Sequence, residues 1–68
     1  MRFKLRAPTD QIYRWLLAEA LVGVRIYTQN PRRRLVSTEA LSAETEQLVK
    51  ESGTVVTPEI QYESEQFV

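Results

Sequence analysis

The opening residues Arg2-Phe3-Lys4-Leu5-Arg6-Ala7 alternate without interruption between cationic and apolar side chains. Successive side chains of a strand point to opposite faces, so a period of two predicts one apolar face and one charged face. Phe3, Leu5 and Ala7 are expected to face a core, and Arg2, Lys4 and Arg6 to face away from it. Pro8 ends the strand, because its nitrogen carries no hydrogen for the ladder.

Thr9 is a good helix N-cap, and Asp10 suits the positive end of the helix dipole. At about 100° per residue, Ile12, Tyr13, Leu16, Leu17, Ala20 and Leu21 gather on one broad apolar arc. Asp10 and Arg14 lie opposite that arc, four residues apart and spaced to pair. Trp15 falls at the border of the arc. Gly23 is a natural C-cap, since glycine enters the left-handed conformation without a steric penalty.

Val24 to Thr28 alternates again, with Val24 and Ile26 inward and Arg25 and Tyr27 outward. Asn30-Pro31 signals a turn. Arg32 to Thr38 then returns as the second arm of a hairpin, with Leu35 inward and Arg32, Arg34 and Val36 outward. Ser42 caps a second helix whose apolar stripe is thin, consisting of Leu41, Thr45, Leu48 and Val49. Lys50 stands in its last turn and Ser52-Gly53 stops it. Thr54 to Thr57 reads as a final strand, carried past Pro58 by Ile60 and Tyr62, and the proline assigns it to a sheet edge.

The order strand, helix, strand, strand, helix, strand is two βαβ units. With right-handed crossovers they interleave into one four-stranded antiparallel sheet with both helices on one face. The expected fold is therefore α+β, a two-layer ferredoxin-like βαββαβ sandwich. A shift of 30 residues sets Leu5 on Leu35 and Gly23 on Gly53, which reinforces the pairing of elements. With 68 residues there is room for one domain, expected over residues 1–62, with residues 63–68 as a flexible tail. The second helix, with the thinner stripe, is expected to loosen first.

The chemistry available is restricted. The chain has no cysteine and no histidine, so it lacks thiolate nucleophiles, disulfides, the commonest general base and the commonest metal ligand. Gly23 and Gly53 are the only glycines, and no glycine-rich loop cradles a phosphate. Serines and threonines fall at caps and on strands, without a base to activate them. A non-enzymatic protein without cofactor or catalytic metal is expected. No apolar run approaches the roughly 20 residues that cross a bilayer, and the first residues lack the apolar stretch of a secretory signal. These features predict a soluble, cytoplasmic protein without membrane association.

Nine basic and nine acidic residues give no net charge, but they are segregated along the chain. Residues 1–34 hold eight of the basic residues against Asp10 and Glu19, whereas residues 35–68 hold Lys50 against seven glutamates. Mutual neutralisation of the halves within the fold is the simplest outcome, and an anionic partner is the alternative. On the proposed sheet, Arg2, Lys4, Arg6, Arg25, Arg32 and Arg34 collect around Tyr27 on the open face. That face predicts a docking or adaptor role toward an acidic segment of a protein partner. Binding of single-stranded RNA or DNA by the same face is the alternative, with cations on phosphates and the tyrosine stacked on a base. Glu59 and Gln61 share the face and oppose that use, as does the absence of aromatics from the central strands. Trp15 is the candidate anchor of a protein interface or, equally, the rim of a small core. The opposite charges of the two halves also suit pairing of two copies.

The middle of the chain resembles the tubulysin-type N-terminal docking domains of nonribosomal peptide and polyketide synthetases. The likeness lies in the helix Leu16-Leu17-Ala18-Glu19-Ala20-Leu21, the turn Gly23-Val24-Arg25-Ile26, the strand opening Arg34-Leu35 and the helix start Leu41-Ser42-Ala43-Glu44. This sequence departs from that pattern by placing Arg2 to Ala7 before the helix. The resemblance implies a hairpin that captures a short partner peptide, with Arg25, Tyr27, Arg32 and Arg34 meeting its acidic side chains.

Overall fold

A computed structural model describes residues 2–59. The strands are β1 (Arg2–Arg6), β2 (Ile26–Asn30), β3 (Leu35–Glu39) and β4 (Val55–Glu59), and the helices are α1 (Asp10–Trp15) and α2 (Ala43–Glu51). The four strands form one antiparallel sheet in the order β2-β3-β1-β4. With the helices, this is the α+β ferredoxin-like layout. Ile60, Gln61 and Tyr62 of the expected last strand, and the expected tail 63–68, lie outside the described residues.

The alternation of β1 sets the layering. Phe3 and Leu5 are buried, and Arg2, Lys4 and Arg6 are exposed. Leu5 has no exposure and faces Val36 of β3 on one side and Val56 of β4 on the other. Tyr13, Leu16 and Leu21 from the first helical segment, and Leu41 and Val49 from around α2, close over these residues as a single core. Trp15, Ile12, Leu17 and Ala20 pack around its margin.

The first helix is not a continuous α-helix. After Trp15 it widens into a π-helical turn, Leu16–Ala20, in which the Leu21 N–H donates to the Leu16 carbonyl at 2.9 Å. At the α-helical ~100° per residue, positions five apart are turned away from each other; a wider turn brings them back into line. The π turn thereby buries both Leu16 and Leu21. Thr9 caps the start through its side-chain oxygen, which accepts from the Ile12 N–H at 3.1 Å, and Ser42 caps α2 by accepting from the Thr45 N–H at 3.2 Å. Gly23 and Gly53 adopt φ of 84° and 93°, the conformations their capping positions require.

Two expectations about side-chain placement are corrected. Val36, expected outward, is buried against Leu5, and half-buried Leu35 lies on the open face beside Arg6. The strand begins at Leu35 and not at Arg32, because Pro31 to Arg34 form the turn, and the inward position moves from Leu35 to Val36. In that turn the Arg34 N–H donates to the Pro31 carbonyl at 3.2 Å, and Arg34 takes the left-handed φ of 55°. On α2, Leu48 is 46% exposed, whereas Leu41 and Val49 carry the apolar contact.

Leu5→Ala is expected to cost ~2–5 kcal/mol in urea unfolding, enough to unfold much of so small a domain. Leu48→Ala should stay within about 0.5 kcal/mol of the parent. An equal cost for both would refute this placement of the core.

Candidate functional site: the open sheet face and the hairpin turn

The open face is read in rows across the sheet. In the first row Arg2 stands between Glu39 of β3 and Glu59 of β4. In the second Lys4 stands between Ser37 and Thr57, and in the third Arg6 stands between Leu35 and Val55. Among the described residues, neither Lys4 nor Arg6 has a carboxylate within ion-pair distance. Arg2 forms no ion pair within that distance either, but its row holds two glutamates, whereas the Lys4 and Arg6 rows hold no other charged residue.

The expected site residues divide accordingly. Arg2 stacks on the Tyr27 ring with its guanidinium carbon 4.6 Å from the ring centre. Arg25 is exposed immediately before β2, and its backbone N–H donates to the Glu39 carboxylate at 2.9 Å. Arg2, Arg25 and Tyr27 thus share the end of the face that holds Glu39 and Glu59. A bulge places both Tyr27 and Thr28 against Ser37.

Arg32 and Arg34 are corrected. Neither belongs to β3, because the chain is still turning at both positions. Arg32 is exposed in the turn. Arg34 instead closes over the end of β1, with its Nε donating to the Ala7 carbonyl at 3.1 Å and its own carbonyl accepting from the Ala7 N–H at 2.9 Å. A guanidinium nitrogen of Arg34 also lies 3.9 Å from the Asp10 carboxylate. Asp10 therefore pairs with Arg34 and not with Arg14. Trp15 is half-buried at the core margin, away from the open face.

The sequence reading did not assign Arg14 or Arg33 to the site. Arg33 follows from the turn chemistry: Asn30 Oδ1 accepts from the Arg33 N–H at 3.3 Å, an Asx arrangement that starts the turn at Pro31 and leaves Arg32 and Arg33 exposed at its tip. Three consecutive arginines after Asn-Pro were the available signal. Arg14 could be recognised only once Asp10 was known to face Arg34.

Of the ion pairs among the described residues, Asp10–Arg34 lies in the first half of the chain and Glu46–Lys50, at 2.8 Å, in the second. Neither joins the halves; among the described residues the two halves meet where the Arg25 N–H donates to the Glu39 carboxylate at 2.9 Å and where Arg2 stands in register with Glu39 and Glu59. Glu39 and Glu59 stand at the Arg2 end of the sheet, and Arg6, Arg32 and Arg33 stand at the turn end.

Both sheet edges are blunted. Bonded and free positions alternate along a strand. The Ala7–Arg34 bond therefore turns the backbone groups of Val56 and Pro58 outward on β4, where Pro58 has no N–H to offer. On β2 the bulge separates the outward groups of Ile26 from those of Gln29 and breaks the register an added strand would need.

Tyr13 ties the helix to this end, its hydroxyl donating to the Leu35 carbonyl at 3.3 Å. Burial pushes its pKa up, partly offset by the backbone of Asn30. A raised folded-state pKa favours the neutral phenol, so its contribution is present below pH ~10 and is lost as pH rises above that toward the folded value. Tyr13→Phe is expected to cost about 1 kcal/mol at neutral pH through the lost hydrogen bond. In urea titrations the gap should narrow above pH ~10, as the parent loses this contribution and the variant does not.

Comparison with known proteins finds no protein family, curated protein or solved structure that matches this chain. Among the described residues no helix is long and apolar enough to cross a membrane.

Proposed function

We propose that this protein is a cytoplasmic, non-catalytic docking module that binds an acidic segment of a protein partner through the cationic end of its sheet. The observation that carries the reading is the isolation of Lys4 and Arg6 on an open face, with uncharged cross-strand neighbours and exposed Arg32 and Arg33 at the adjoining turn. Cations left without internal partners are available to carboxylates from outside, and exposed cations speed the encounter through long-range attraction. The blunted edges favour contact through side chains over addition of a strand.

The same cations suit phosphates, but single-strand binding also draws on bases stacked against aromatic rings. Tyr27, the aromatic on this face among the described residues, already carries the Arg2 guanidinium. This favours carboxylates as the target.

An immobilised glutamate-rich peptide should retain the protein at low salt and release it as salt rises. The double variant Lys4→Glu, Arg6→Glu should lose retention while keeping its unfolding midpoint. Failure of the parent to bind the peptide, or tighter binding of a single-stranded oligonucleotide at the same salt, would overturn the reading.

A further inference from the structure

Beside the cationic end, on the helix side, an open groove of about 410 Å³ runs between α1 and the β2–β3 turn, lined by Asp10, Tyr13, Arg14, Leu17, Pro31 and Arg32. Its volume falls within the ~300–1,000 Å³ range of ligand sites, and its openness suits a side chain projecting from a larger partner better than an enclosed small molecule. Leu17, Pro31 and the Tyr13 ring supply apolar wall. Arg14 and Arg32 are exposed, and neither has a carboxylate within ion-pair distance among the described residues. Asp10, the acidic group on the groove, lies 3.9 Å from an Arg34 guanidinium nitrogen and stays largely exposed, so the groove carries two cations against one carboxylate.

We infer that this groove receives a large apolar side chain of a partner's acidic segment, with carboxylates on either side of that side chain bound by Arg14 and Arg32. The inference rests on the docking reading above and adds a specificity element to it. Lys4 and Arg6 attract any acidic chain, whereas the groove selects one that places phenylalanine or leucine between glutamates or aspartates. An apolar anchor in a pocket ringed by charge-assisted hydrogen bonds is the arrangement in which interface energy concentrates.

The test is fluorescence anisotropy on the full chain with a labelled peptide carrying one Phe flanked by glutamates. Two further peptides serve as controls, one with Phe replaced by Gly and one with Glu replaced by Gln. Each control should bind at least about tenfold more weakly than the test peptide. Arg14→Glu and Arg32→Glu should each weaken the test peptide about tenfold while leaving thermal unfolding in place, both sites being exposed. If the Phe and Gly peptides bind equally, or if only Lys4→Glu and Arg6→Glu weaken binding, the groove inference fails and the docking reading stands. If the parent binds none of the peptides, both fail. An oligonucleotide that displaces the peptide and binds more tightly through Arg14 and Arg32 would overturn the inference. So would a Phe67→Gly chain that binds the peptide much more tightly than the parent, since the groove would then belong to this chain's own residues 60–68.

Discussion

The structure depends on the burial of Leu5 in the middle of the sheet. It has no exposure, it faces Val36 and Val56 on the two neighbouring strands, and it lies under the helices that close the core. Its neighbours Lys4 and Arg6 are therefore held on the opposite face. Burying an unpaired cation costs several kcal/mol, so no competing register can turn β1 over. In a chain this small, where little of the surface leaves water on folding, one central strand with both neighbours in place organises most of the core.

From that constraint follows the electrostatic character of the molecule. Were the helices on the other face, the cations would be covered and would need partners. Left in water, they need none, and Lys4 and Arg6 have uncharged neighbours on both sides. Arg2 is the exception: it stands in register between two glutamates and stacks on Tyr27. The hairpin turn adds Arg32 and Arg33 at the end where charge is uncompensated. Within the sheet, the two glutamates thus stand beside Arg2, at the opposite end from Arg6 and the turn arginines.

Several features were legible in the sequence because each is enforced by local chemistry. The alternation of β1 permits one orientation, Thr9 and Ser42 cap the helices, Gly23 and Gly53 supply positive φ, and Pro58 marks an edge strand. The register of β3 was not legible. Leu35-Val36-Ser37-Thr38 offers one aliphatic and one hydroxyl side chain to either face, so periodicity cannot choose between them. The choice is made by the turn, in which Arg34 takes a left-handed conformation and after which β3 pairs with β2 from Leu35 opposite Asn30.

The sequence by itself determined the order of elements, the sidedness of the sheet and the positions of the caps, because period-two alternation and capping act over a few residues. Only the tertiary structure decided which cations remain available. It drew Arg34 inward to Ala7 and Asp10, released Arg14 from its expected i, i+4 pair, set glutamates on both sides of Arg2 and opened the groove between α1 and the turn. Those outcomes depend on neighbours brought together from distant parts of the chain. A charged side chain's partner is set by distance in space, which no spacing along the sequence specifies.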